Sequence, residues 1–202
     1  FAGTEEVETL ASLFNLKAKM KSKDGERFEA NRVLGEIVGK AKHILLLERT
    51  LLNLISHMCG VATATRAAVD LIKSRGLQTR IAATRKTHPG LRLFEKKAVK
   101  IGGGDTHRMD LSSMVLIKDN HINLCGSIGE AVKRAKAASS ITTKIEVEVK
   151  SLAEALEAVE VGADIIMLDN MPPEDVKEVV EELKRRGLRN RVKLEASGGI
   201  NQ

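Results

Sequence analysis

Tryptophan and tyrosine are absent from the 202 residues, and phenylalanine occurs only at Phe1, Phe14, Phe28 and Phe94. Readers of single-stranded nucleic acid stack bases on aromatic faces, so the formal charge of +6 is not aimed at nucleic acid. Cysteine is nearly missing as well. Cys59 and Cys125 fit no metal or redox spacing, which leaves two reduced packing residues of the kind a cytoplasmic protein carries. Long uninterrupted apolar runs are also lacking. The longest, over residues 51–65, follows Glu48-Arg49 and is broken by His57, so no membrane span is expected. No secretory signal pattern is visible, and a cytoplasmic location is the expectation. What is present in quantity is apolar side chain, 43% of the total, enough for a sizeable core. The chain starts at Phe1 and stops just after Ser197-Gly198-Gly199, which reads as part of a longer protein.

In chain order, residues 5–14 place Val7, Leu10 and Phe14 at helical spacing. Two short strand patterns follow around a turn at Gly25, LKAKMKS and RVLGEIVG, the tail of a small α+β module. Residues 48–74 have apolar positions three and four apart, a long helix with one buried face, in which Gly60 marks a break or a close contact. Beyond Gly76 the rhythm is regular. Strand-like runs occur at 78–83, 114–117, 144–149, 164–168 and 191–196, with helical patterns at 91–100, 127–138, 152–161 and 174–186. Alternation of this kind predicts βα units and a parallel sheet. A barrel is favoured over an open sheet, because every strand-like run ends in polar or charged residues, as at the active-site end of that fold.

Those strand ends carry the chemistry. Arg85, Lys86, His107, Arg108 and Lys118 follow apolar runs closely. Four cations and an imidazole gathered at one place repel one another unless a polyanion binds, and Arg forks match carboxylate or phosphate oxygens. Arg92, Lys96 and Lys97 accompany Glu95 on a helix and read as ordinary surface charges. Among the acids, Glu146 and Glu148 share one strand face in IEVEV, and Asp169 ends the next strand. Near phosphates, such carboxylates hold Mg²⁺, meet sugar hydroxyls or act in proton transfer. The Ser197-Gly198-Gly199 turn offers backbone N–H groups to a phosphate. Gly102-Gly103-Gly104 is either a similar loop or a tight turn.

At these residues the sequence resembles the quinolinate phosphoribosyltransferase family. The matching stretches are ERTLLNLISHMCGVATATR, TRKTHPGLR, KAVKIGGGDTHRMDL, MVLIKDNHI, IEVEV, IIMLDNM and EASGGI, in family order over about three-quarters of the chain. The resemblance implies part of an N-terminal α+β sandwich with its linker over residues 1–47. An incomplete, seven-stranded type of α/β barrel over 48–202 would follow, lacking its C-terminal end. It implies transfer of a phosphoribosyl group from phosphoribosyl pyrophosphate to quinolinate with decarboxylation, Mg²⁺ as cofactor, and a homodimer or higher oligomer. Neither nucleic acid nor membrane is an expected partner. Carried over by motif, Arg85, His107, Arg108 and Lys118 would hold the quinolinate carboxylates, and Lys86 would lie near the anionic groups. Glu148 and Asp169 would face ribose and metal, directly or indirectly, and Ser197, Gly198 and Gly199 would bind the 5-phosphate. Lys86, Lys118, Glu148 and Asp169 form the catalytic set, and Arg49 would reach a neighbouring subunit's site. Ser113 stands where the family pattern leads one to expect an acid. A phosphoribosyltransferase for another ring acid such as nicotinate, or a non-catalytic barrel binding phosphorylated ligands, is the alternative.

Overall fold

The computed structural model describes residues 1–200 and divides into two units, Phe1–Met109 and the chain from Asp110 onward. In the first unit α1 (Thr4–Leu13) leads into β1 (Lys17–Met20), which pairs antiparallel with β2 (Gly35–Val38), from Lys17 opposite Val38 to Met20 opposite Gly35. Helix α2 (Ala41–Ser74) then runs for 34 residues. Its buried positions, Leu47, Leu51, Met58, Ala62, Thr65 and Val69, keep to one stripe, as the apolar spacing requires. Leu47 and Leu51 join Val7, Ala11 and Leu16 in one core. Met58 and Ala62 pack with Ala2 and with Ala98 of α3 (Arg92–Ile101) in another.

Three features of this unit depart from the sequence reading. The long helix begins at Ala41 rather than near Glu48. Gly60 neither breaks it nor packs closely, since a Cβ there would meet nothing within 4 Å. Residues 78–83 form no regular strand; Ala82 makes an isolated parallel bridge to Asp105, with the Asp105 amide on the Ile81 carbonyl at 2.7 Å. By length and composition alone α2 would also reach across a membrane. Glu48, Arg49, His57 and Arg66 lie along it, however, and one side of it is packed on α1 and α3.

The second unit is built of βα repeats. Strands β3 (Val115–Ile117), β4 (Ile145–Val149), β5 (Ile165–Asp169) and β6 (Lys193–Ser197) form a parallel sheet in that order. Between them run α4 (Asp119–Cys125), α5 (Ile128–Ala138), α6 (Leu152–Glu160) and α7 (Pro173–Arg185). The helix starts are written locally. Ser127 and Ser151 each accept the amide of the residue three further on, Glu130 and Glu154, satisfying one of the amides a first turn leaves open. Pro173 occupies a first-turn position where no N–H is needed. Ile117, Val147, Val149, Ile166 and Leu168 pack against Val132, Ala155, Ala158, Val179 and Leu183, so α5, α6 and α7 all cover one sheet face. A strand's side chains alternate, and the charged residues of the same strands are therefore sent to the other face.

Candidate active site

That second face can be read row by row from the strand register. Leu116 lies beside Glu146, Glu146 beside Ile165, and Ile165 beside Lys193. One step of two residues along, Glu148 lies beside Met167 and Met167 beside Glu195. Lys118, just past the end of β3, extends this row and reaches Glu148 Oε2 with its Nζ at 3.1 Å. The Glu148 side chain is only 10% exposed, so the pair is held at a fixed separation with little solvent around the acid. The last row sets Asp169 beside Ser197. Lys118, Glu148, Asp169 and Ser197, four residues singled out from sequence, thus share one face of one sheet. Among the described residues the Asp169 side chain has no hydrogen bond or ion pair.

The turn after β6 is constrained. Gly198 and Gly199 have φ of +80° and +64°, and a Cβ on Gly198 would fall 2.3 Å from Asn170 Oδ1. Asn170 is itself left-handed, and its amide donates to the Ser197 carbonyl at 2.8 Å. Only glycine fits Gly198 without strain. Gly102-Gly103-Gly104 has a different use. Cβ atoms at Gly102 and Gly104 would come within 2.6 Å of the Ala62 carbonyl and 2.7 Å of Thr65 Cγ2, so these glycines let the turn lie against α2.

In the first unit the cations are arranged around a residue that the sequence reading set aside. Lys96 is 1% exposed, and its ammonium donates to the carbonyls of Ala83 at 2.9 Å, Arg108 at 3.1 Å and Thr106. All three N–H donors of the ammonium are used on main-chain oxygens. Two of those oxygens flank His107, and the third lies two residues before Arg85. Burial holds the Lys96 amine below the ordinary lysine range; Arg92, Arg108 and Arg85 push the same way, and Asp105 opposes them. Arg108 and Arg85 belong to segments that this ammonium anchors, and Arg92 lies four residues before it on α3. Arg85 Nε is buried with no hydrogen-bond partner among the described residues. His107 has a left-handed backbone, φ 51°, fixed by its amide on Asp105 Oδ1 at 2.8 Å. Lys86 is exposed, with its amide on Thr84 Oγ1 at 3.0 Å. Arg49 is exposed on α2 and makes no hydrogen bond or ion pair among the described residues, not even with Glu48.

The expectation that Arg92, Lys96 and Lys97 are plain surface charges is overturned. Arg92 Nε donates to Thr87 Oγ1 at 3.1 Å, and Lys97 bridges Glu5 and Glu6 at 2.6 and 2.7 Å. A signal for Lys96 exists in the sequence. The buried stripe of α3 is Glu95, Lys96, Ala98 and Val99, whereas Leu93 is exposed. Lys96 is three residues before Val99, so the helical phase set by Ala98-Val99 carries it inward. Ser113, in place of an expected acid, donates to Asp110 Oδ1 at 3.0 Å.

Known proteins match the chain along its whole length. The N-terminal domain model of quinolinate phosphoribosyl transferase matches residues 1–59, and its C-terminal domain model matches 61–202. The chain is 48% identical to a probable nicotinate-nucleotide pyrophosphorylase (carboxylating) of Methanothermobacter thermautotrophicus, covering 98% of this chain and 71% of that protein. It is 38% identical to the human nicotinate-nucleotide pyrophosphorylase (carboxylating), over 98% of this chain and 66% of that one. Among solved structures, the nicotinate-nucleotide pyrophosphorylase of Francisella tularensis superposes with a TM-score of 0.91 at 37% identity, over 100% of this chain and 70% of its own. With two domain models end to end and near-complete coverage by these relatives, the chain belongs to the quinolinate phosphoribosyl transferase family.

Proposed function

We propose that the protein transfers the phosphoribosyl group of phosphoribosyl pyrophosphate to quinolinate, releasing pyrophosphate and CO₂ and forming nicotinate mononucleotide. The observation that carries this reading is the buried Lys96 ammonium, which holds the carbonyls of Ala83, Thr106 and Arg108 and so anchors the segments that bear Arg85 and Arg108 beside the helix that bears Arg92. A ring with two carboxylates brings two negative charges to such a group, whereas a ring with one brings half as much. Arg85, His107 and Arg108 are assigned to the carboxylates, as is Lys118, with Lys86 near the anionic groups. Glu148 and Asp169 are assigned to the ribose, and Ser197, Gly198 and Gly199 to the 5-phosphate.

The ring nitrogen attacks the anomeric carbon as pyrophosphate leaves, through a state with oxocarbenium character. The chain's contribution is to hold the two anions in line and to place the Glu148 and Asp169 carboxylates beside developing positive charge. Mg²⁺ fits the oxygen donors present, above all the uncommitted Asp169 carboxylate, with Glu148 as its neighbour. Bound there, it would supply charge neutralisation for the leaving pyrophosphate.

In architecture, we infer that the four parallel strands belong to an incomplete barrel of the seven-stranded type over residues 48–202. The segment 1–47 is then part of an α+β sandwich with its linker. A homodimer is supported by α2, where Leu45, Leu46 and Leu52 stand exposed near Arg49, which has no hydrogen bond or ion pair among the described residues. A cytoplasmic location accords with two free cysteines.

The test is direct. The full-length protein incubated with quinolinate, phosphoribosyl pyrophosphate and Mg²⁺ releases CO₂ and pyrophosphate in equal amounts and forms the mononucleotide. Turnover of nicotinate but not quinolinate, or of neither, overturns the reading.

A further inference from the structure

One cluster of titratable groups in the first unit has no part in these roles. His57 on α2, His88 in the loop before α3, and Glu95 on α3 bring three ligand atoms within 4.8 Å of one another. His57 Nε2 and His88 Nδ1 address the same oxygen, Glu95 Oε1, at 2.8 and 2.6 Å. The His88 amide also leans on that oxygen at 3.4 Å, and on Oε2 at 3.3 Å. The two rings stand edge to face with centroids 5.2 Å apart, so neither blocks the other's approach to the carboxylate. Glu95 is buried, and the bonds from His88 and His57 outweigh that burial to keep its carboxyl below the usual range. An ionised acid thus lies at the focus of two imidazoles that come from different elements.

We propose that His57, His88 and Glu95 form a binding site for a divalent transition-metal ion of the Zn²⁺, Co²⁺ or Ni²⁺ class. Two imidazoles and a carboxylate are a complete protein set for a four-coordinate ion whose last position is taken by water. Donors about 2.0–2.1 Å from such an ion sit somewhat farther apart than hydrogen-bonded atoms do. The adjustment falls on His88, whose side chain is 71% exposed and free to swing. Neither imidazole has to lose a proton from its neutral form. Each moves its N–H to the other ring nitrogen and offers the vacated lone pair. Mg²⁺ does not compete, because it selects oxygen ligands and octahedral geometry. The site is therefore separate in metal preference from the one assigned to Glu148 and Asp169. An ion there ties the loop that carries Arg85 and Lys86 to both α2 and α3, since His88 is part of that loop.

The full-length protein, stripped with a chelator and titrated with Co²⁺, reads this out independently of catalysis. One ion per chain is expected, with the visible d–d bands of four-coordinate Co²⁺ and no thiolate charge-transfer band. The bands persist in a Cys59→Ser/Cys125→Ser variant and in excess Mg²⁺. His88→Ala removes an exposed side chain without disturbing the core, so lost binding in that variant is not lost folding. It weakens Co²⁺ binding by at least about tenfold, as even removal of a residue supporting a ligand does. His57→Gln behaves likewise. A protein that stays colourless at saturating Co²⁺, or a His88→Ala variant that binds as tightly as its parent, overturns the proposal.

Discussion

A single ammonium, that of Lys96, holds the carbonyls of Ala83, Thr106 and Arg108. Lys96→Met keeps the stem and removes the donors, leaving buried acceptors unsatisfied at roughly 1–3 kcal/mol each. A total loss of about 3 kcal/mol or more is expected in urea unfolding, together with a raised KM for quinolinate. An unchanged midpoint would show that water replaces the ammonium. Arg108→Ala acts on recognition instead: quinolinate binding weakens by roughly 2–5 kcal/mol, the cost of losing one partner of a buried charge pair. Phosphoribosyl pyrophosphate binding changes much less, and equal losses in calorimetry would remove the assignment. Glu95 has a pH consequence. Its folded-state carboxyl is held below the usual carboxylate range, so its stabilisation is complete above that range and is lost as pH falls through the folded-state value. Thermal unfolding of Glu95→Gln is therefore expected to depend less on pH than the parent's below about pH 5.

The elements differ in how plainly the sequence announces them. Strands β4 and β5 have Ile/Val/Leu on the helix-covered face, so their limits are legible to within a residue. The period of two also placed Glu146 and Glu148 together, and the register bears this out. Residues 78–83 look equally strand-like, yet only Ala82 finds a bridge; pairing depends on a distant partner that no local pattern reveals. The short α4 went unread because Lys118-Asp119-Asn120 looks like a polar strand end, while Lys118 is already the cap of a helix. Glycine was ambiguous for a similar reason, since its meaning depends on what lies opposite. Gly60 faces open space inside α2, so Gly60→Ala is expected to stabilise the fold by about 1 kcal/mol. In Gly104→Ala the new Cβ meets Thr65 Cγ2 at 2.7 Å and Val99 Cγ1 at 2.8 Å, and about 1–3 kcal/mol is lost. The same sign for both variants in denaturant titration would contradict the packing described.

For the assembled molecule the informative residue is Arg49. Its exposure and lack of a partner among the described residues suit the role assigned to it in a neighbouring subunit. Arg49→Ala and Lys118→Ala homodimers are then both nearly inactive, each site lacking one cation. A mixed dimer gathers both defects in one site and leaves the other whole. Co-refolding equal amounts recovers about a quarter of parental activity, since about half the dimers are mixed and each has one good site. No recovery under conditions shown to exchange subunits would place Arg49's action within its own chain. The assignment comes only from the resemblance: in the sequence Arg49 is one charge beside Glu48 ahead of an apolar run.

The Lys96 anchor grips peptide oxygens and no side chain of the loops it secures. Any residue at positions 83, 106 or 108 supplies the same carbonyl, so the side chains on display can be exchanged while the display itself stays in place. A fold built this way separates where a loop lies from what it recognises. Libraries that randomise Arg85, Lys86 and Arg108 together should therefore contain a high proportion of folded members. Such a scaffold suits redirection toward ring acids with other patterns of charge.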